Sequence, residues 1–135
     1  MKNRFLLPGW ALSLLMALLL GAASNGRALA QADSCCIRIN NNTSICHVDV
    51  CVTTPSGAQR CITVYAGTSD GFRFPCDSNT VVIVSDACGM EHRLHPNDCV
   101  RVQLRSGCCA TACLHISHDG CYQLDVNENA GPCQC

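Results

Sequence analysis

Fourteen cysteines, every one of them after Ser34, constrain this chain more than any other feature. Between Gln31 and Cys135 they make up about 13% of the residues, above the roughly 8–10% that marks a disulfide scaffold. An even count of this density reads as up to seven bridges formed in an oxidising compartment. Spacing alone leaves the connectivity open, since fourteen cysteines allow on the order of 10⁵ pairings. A chain of this length can bury a core without covalent help. The excess therefore points to persistence against proteases, heat or drying.

The segment before the cysteines fits export. Lys2 and Arg4 form a positive start, Ala11–Leu20 (ALSLLMALLL) is an unbroken apolar run, and Ala28-Leu29-Ala30 places small residues at both positions a signal peptidase requires. Residues 1–30 are thus expected to be a cleaved signal peptide and 31–135 one cysteine-rich domain. The apolar run is about half of the ~20 residues a spanning helix needs, so no membrane span is expected in the mature chain. Asp33-Ser34 before Cys35 does not suit a lipoprotein site, and the C-terminus carries no apolar tail for a glycolipid anchor. Removing residues 1–30 leaves six arginines against ten acids, a net charge of −4. That balance does not suit nucleic acid or anionic membranes.

Apolar residues after Gln31 recur with period two, the mark of strands. Ile45–Thr53 reads as a strand in which Val48, Val50 and Val52 alternate with His47, Asp49 and Cys51; after the turn cluster Thr54-Pro55-Ser56-Gly57, Ile62 and Val64 alternate with Cys61, Thr63 and Tyr65. Pairing Val50 with Ile62 and Val48 with Val64 collects the aliphatic side chains on one face and sets Cys51 opposite Cys61 on the other. A one-residue slip destroys both matches, so a Cys51–Cys61 contact is expected. Phe72 and Phe74 read as a core-facing pair around an outward Arg73. Thr80–Ser85 (TVVIVS) reads as a strand covered on both faces. Asp86–Asn97 reads as a long polar connection, and Cys99–Leu104 as a strand with Val100, Val102 and Leu104 inward. A three-residue loop, His118-Asp119-Gly120, pairs Ile116 with Tyr122 and Leu114 with Leu124, with Gly120 in the left-handed conformation. Cys133-Gln134-Cys135 is expected to pin the C-terminus. Six or seven short strands with turns every eight to twelve residues predict an all-β fold, a single small antiparallel β-sandwich. The doublets Cys35-Cys36 and Cys108-Cys109 form a weak internal echo.

Residues with chemical potential are few. His92-Arg93-Leu94-His95 and His115-Ile116-Ser117-His118 offer zinc-type donors near Cys88, Cys113 and Cys121. Three-residue spacing on a strand sends two side chains to opposite faces, however. His92, His95, His115 and His118 are therefore weak metal candidates. No G-x-S-x-G elbow is present, and the acids are scattered singly over turns (Asp70, Asp77, Asp86, Asp98, Asp119), where aspartate serves the backbone. Asn41-Asn42-Thr43 and Asn42-Thr43-Ser44 are N-glycosylation sequons for a eukaryotic host, on what reads as an exposed loop, Asn40–Ser44. No catalytic residue and no cofactor is expected.

These features favour a non-enzymatic, exported protein, a surface-binding or structural component of an envelope, matrix or extracellular assembly, its partner an extracellular protein or glycan. Two alternatives stand beside it. One is a secreted effector, such as a protease inhibitor or a defence or toxin-like protein; an inhibitor would present Pro55–Gln59 or the Cys88–Cys99 connection with Arg60 or Arg93 at its tip. A metal-binding protein would bring the His-x-x-His loops together.

Overall fold

The computed structural model describes residues 33–131 together with Cys133 and Cys135. The expected signal peptide and its cleavage before Gln31 lie outside the described residues. Nine strands follow one another: β1 (Asp33–Asn42), β2 (Val48–Thr53), β3 (Gln59–Val64), β4 (Ser69–Cys76), β5 (Val82–Ser85), β6 (Glu91–Leu94), β7 (Cys99–Gln103), β8 (Cys109–Ile116) and β9 (Tyr122–Glu128). They form a five-stranded sheet, β4-β1-β9-β8-β7, and a four-stranded sheet, β3-β2-β5-β6.

The inward faces of the two sheets meet in one core. Ile37, Ile39, Val48, Val50, Val52, Val64, Phe74, Val84, Val102, Leu114, Leu124 and Val126 are among its buried members. Beta-branched residues dominate because they pack well on a pleated surface with little rotamer freedom to lose. The expected registers are present: Val48↔Val64, Val50↔Ile62 and Cys51↔Cys61 in the first hairpin, Leu114↔Leu124 and Ile116↔Tyr122 in the last. Gly120, at φ +85°, closes the last hairpin with its amide donating to Ser117 O. Val82, Ile83 and Val84 are all buried, as a strand covered on both faces requires.

Four expectations need correction. The sandwich is antiparallel except at its centre, where β1 and β9 pair in parallel, Ile37 beside Tyr122 through Asn42 beside Asn127. Among the described residues there are nine strands rather than six or seven. One of the additional ones, β6, lies inside the supposed Asp86–Asn97 connection, paired with β5 from Val82↔Leu94 to Ser85↔Glu91. The other, β1, includes Asn40–Asn42, so these residues are not an exposed loop. Strand β2 begins at Val48 rather than Ile45, with His47 in an isolated bridge to Arg105.

All fourteen cysteines pair: 35–76, 36–121, 46–108, 51–61, 88–135, 99–113 and 109–133. Adjacent residues on a strand face opposite ways. Each doublet therefore serves two directions: Cys35 reaches β4 while Cys36 reaches the β8–β9 loop, and Cys108 and Cys109 divide likewise between Cys46 and Cys133. Bridges to Cys109 and Cys88 hold Cys133 and Cys135, so the C-terminus is pinned as expected. Gly71 on β4 lies so close to β1 that a Cβ there would meet Ile37 O at 2.1 Å.

Strand directions put loops 43–47, 65–68, 86–90 and 104–108 at one end of the sandwich, called here the upper end. Loops 54–58, 77–81, 95–98 and 117–121 occupy the lower end.

Candidate binding surface

The upper end is held by a buried asparagine. Asn41 is 1% exposed. Its Nδ2 donates to Cys46 O at 2.8 Å and to Val64 O at 2.9 Å, while its Oδ1 accepts from Thr43 N at 3.1 Å and lies 2.7 Å from Thr43 Oγ1. A side chain of one sheet thus bonds a carbonyl of the other, Val64 O, and one of the connecting loop, Cys46 O, and His47 against Tyr65 joins loops 43–47 and 65–68. The Cys46–Cys108 bridge adds loop 104–108 to the same cluster. Arg105 of that loop donates to Asp49 Oδ1 at 2.9 Å, a second tie between the sheets.

On this fixed base two large apolar side chains stand in solvent: Ile45 is 64% and Tyr65 61% exposed. His47 packs edge-on against the Tyr65 ring at 4.8 Å. Met90, 59% exposed, lies in the 86–90 loop at the same end. Exposed apolar residues scattered singly are ordinary. Here three of the four large ones among the described residues belong to loops at one end, and loops carried on a rigid sandwich are where recognition surfaces are built.

Beside Met90 a cleft of about 530 Å³ is lined by Asp86, His92, Arg101, Gln103 and the Cys88–Cys135 bridge, among others. Asp86 Oδ1 accepts the amides of Cys88 and Met90 at 3.0 and 2.9 Å, and Oδ2 lies 2.7 Å from His92 Nε2. The carboxylate is covered by these neighbours, with 6% of its side chain exposed, although it sits near the rim of the domain. Loss of water contact raises its pKa. The hydrogen bonds from His92 and from the two backbone amides outweigh that, so the net shift is downward.

The candidate histidines are dispersed. His92 is held by Asp86. His95 faces Asp98 at 3.7 Å, and His115 faces Asp125 at 3.8 Å. His118 is exposed in the β8–β9 loop. Among the described residues no group of three or more His, Cys, Asp or Glu is placed to hold a metal ion. The turn aspartates serve the backbone: Asp70, Asp77, Asp98 and Asp119 accept the amides of Gly71, Asn79, His95 and Cys121. Asp119 also accepts from the Ser117 hydroxyl and from Arg38, and these bonds together hold its carboxyl far below the usual range.

The two sequons part company. Asn41 is consumed inside the fold, so the folded domain has no room for a glycan there. Asn42 is exposed, its Nδ2 donating to Asn127 Oδ1 at 3.0 Å. The arginines expected at the tips of inhibitory loops lie inside strands instead. Arg60, on β3, donates to Arg73 O and covers the Phe72 ring at 4.6 Å; Arg93, on β6, pairs with Ile83.

Sequence reasoning passed over the residues that organise this end. Ile45 reads as a strand residue and Asn41 as a loop residue. The one available signal was Tyr65, an aromatic on the face opposite Ile62 and Val64, just beyond a strand end. Among the described residues no helix is long and apolar enough to cross a membrane, and the seven bridges are the chemistry of an oxidising environment.

Together these features define a class, a disulfide-stapled all-β sandwich with rigid apolar loops at one end. No protein family and no curated protein matches the chain. Among solved structures, an NMR structure of a protein from Eubacterium rectale aligns with 72% of this chain and 91% of its own length, at 16% identity and a TM-score of 0.34.

Proposed function

We propose that this is an exported, non-enzymatic protein that acts as a surface-binding or structural component of an envelope, matrix or extracellular assembly. It docks an extracellular protein or glycan on the upper end of its sandwich. The observation that carries this reading is the pairing of solvent-exposed Ile45 and Tyr65 with an immobile base, the Asn41 hydrogen bonds and the Cys46–Cys108 bridge. A tyrosine already held in place loses little conformational freedom on binding, and tyrosine is enriched where interfaces carry their energy. The inhibitor reading has less support, because Arg60 and Arg93 are strand residues. The metal reading has less, because three of the four histidines face separate aspartates.

The test is partition. Cells exporting the full chain, unaltered or as the I45S/Y65S double variant, are separated into a surface or matrix fraction and medium. Both substitutions are at exposed positions, and circular dichroism checks that the variant folds. The unaltered protein is expected in the surface or matrix fraction and the variant in the medium. Equal partition of the two would overturn the proposal.

A further inference from the structure

The seven disulfides are not equivalent, and two share a geometry that the others lack. Cys51–Cys61 and Cys99–Cys113 join residues directly opposite each other in antiparallel ladders. The neighbouring hydrogen bonds, Thr54 N to Ala58 O and Leu114 N to Asp98 O, place both at non-hydrogen-bonded positions, where strands approach most closely. Their Cα atoms lie 4.0 and 4.1 Å apart, against 4.8 to 6.1 Å in the other five. Disulfides ordinarily span roughly 4.4–6.8 Å between Cα atoms, and departures make the bond easier to reduce.

Three further facts point the same way. Both bridges tie an edge strand, β3 or β7, to its inner neighbour. Cys61 and Cys99 are exposed, so an external thiolate can reach a sulfur without prior unfolding. Their sequence separations, 10 and 14 residues, are the smallest of the seven, so opening them returns the least entropy to the chain. The ladder bonds on either side still hold the strands.

We infer that Cys51–Cys61 and Cys99–Cys113 are thiol–disulfide exchange sites, open to an external dithiol while the other five bridges keep the sandwich folded. The thiolate of the dithiol attacks Cys61 Sγ. The sulfur–sulfur bond breaks with its electron pair going to Cys51 Sγ, which leaves as thiolate and takes a proton. The second thiolate of the reagent then attacks the mixed disulfide and closes its own ring, releasing Cys61 as a thiolate that is protonated in turn. Two electrons have passed to the protein. At the second site Cys99 is attacked and Cys113 leaves. Cys88–Cys135 is the informative rival, since Cys135 is also exposed but its Cα separation is an ordinary 5.4 Å.

The experiment uses the full secreted chain without denaturant. It is exposed to graded dithiothreitol, quenched with N-ethylmaleimide, digested and mapped by mass spectrometry, with far-ultraviolet circular dichroism on parallel samples. Cys51, Cys61, Cys99 and Cys113 are expected to be alkylated first, at rates about tenfold above the remaining ten, while the strand signal is retained. Alkylation of Cys88 and Cys135 at the same dose or earlier, or simultaneous opening of all seven bridges, would overturn the inference.

Discussion

Replacing Asn41 tests whether one buried amide couples the two sheets. In N41L four polar contacts vanish. Cys46 O retains the Thr43 hydroxyl at 2.9 Å, and Val64 O, opposite Val48 at a hydrogen-bonded position of the β2–β3 ladder, retains the Val48 amide, so the group stranded without a partner is Thr43 N. A buried backbone group left unpaired costs about 1–3 kcal/mol, so the expected loss is about 2 kcal/mol. In a domain of this size that lowers the melting temperature by about 10 °C, measured with the disulfides intact. N41D keeps the shape and changes the chemistry. The new carboxylate still accepts from Thr43 but turns an oxygen toward the carbonyls of Cys46 and Val64, and both burial and those carbonyls raise its folded pKa. A raised folded pKa means that the native state binds the proton more tightly than the unfolded one, so stability falls as pH rises through that interval. The N41D deficit is therefore expected to be small near pH 3 and to grow toward neutrality, whereas the N41L deficit stays constant. N42A, one residue away on the exposed face, changes stability by less than about 0.5 kcal/mol. Urea titrations at pH 3 and pH 7 read all three. An N41L loss below about 0.5 kcal/mol would refute the reasoning, because the Thr43 amide would then have found another partner.

Three further outcomes follow from individual contacts. G71A drives a Cβ into Ile37 O and is expected to cost about 2 kcal/mol, seen as a lowered urea midpoint; a loss under 0.5 kcal/mol would mean that β4 yields easily, on the scale of ordinary overpacking. Asp86 has a depressed folded pKa, so its contribution is complete above the unfolded value near 3.8 and is lost as pH falls through the lower folded value. D86N is expected to cost about 1 kcal/mol at pH 7 and to flatten the stability profile below pH 4, which a pH series of denaturant midpoints measures. Secreted from an N-glycosylating host, the folded chain is expected to carry glycan at Asn42 and not at Asn41, checked by glycopeptide mapping; a glycan on Asn41 of folded material would contradict its burial.

The parts of the fold legible in the sequence were those in which two independent patterns agreed. In the first hairpin the valine alternation and the Cys51–Cys61 opposition demand the same register, so either checks the other. In the last, Leu114, Ile116, Tyr122 and Leu124 fix the loop length and thereby the role of Gly120. Strand β1 escaped because its second half is Asn40-Asn41-Asn42, residues that local propensity assigns to turns. Tertiary context overrides that preference. Asn40 Nδ2 donates across the parallel ladder to Asp125 Oδ1 at 2.8 Å, Asn42 pairs with Asn127, and Asn41 points inward to the carbonyls of Cys46 and Val64. All three partners are distant in sequence or lie on the backbone, and neither leaves a trace in local composition. Strand β6 escaped because Glu91–Leu94 is four residues long between two turns, with only Leu94 fully buried. The exposure of Ile45 was illegible for the opposite reason: an isoleucine beside a valine strand continues the apolar pattern, and only the loop geometry sets it in solvent.

The distribution of the bridges argues about what they protect. The core is continuous and rich in Val, Ile and Leu, so it does not need covalent replacement of missing burial. Three of the four edge strands are instead bolted to the strand inside them: β4 by Cys35–Cys76, β3 by Cys51–Cys61 and β7 by Cys99–Cys113. The fourth, β6, is only four residues long and enters from a loop tied to Cys135. Edges are where a sandwich frays and where a foreign strand can pair. A chain selected only to fold would place its bridges across long loops, where each constrains the unfolded state most. Here two of the seven close the shortest loops available, which contributes least to global stability and most to keeping a particular strand in place. That choice suits a protein whose hazard is local opening at its margins. It also places the bonds that guard the edges where an external thiol meets them first.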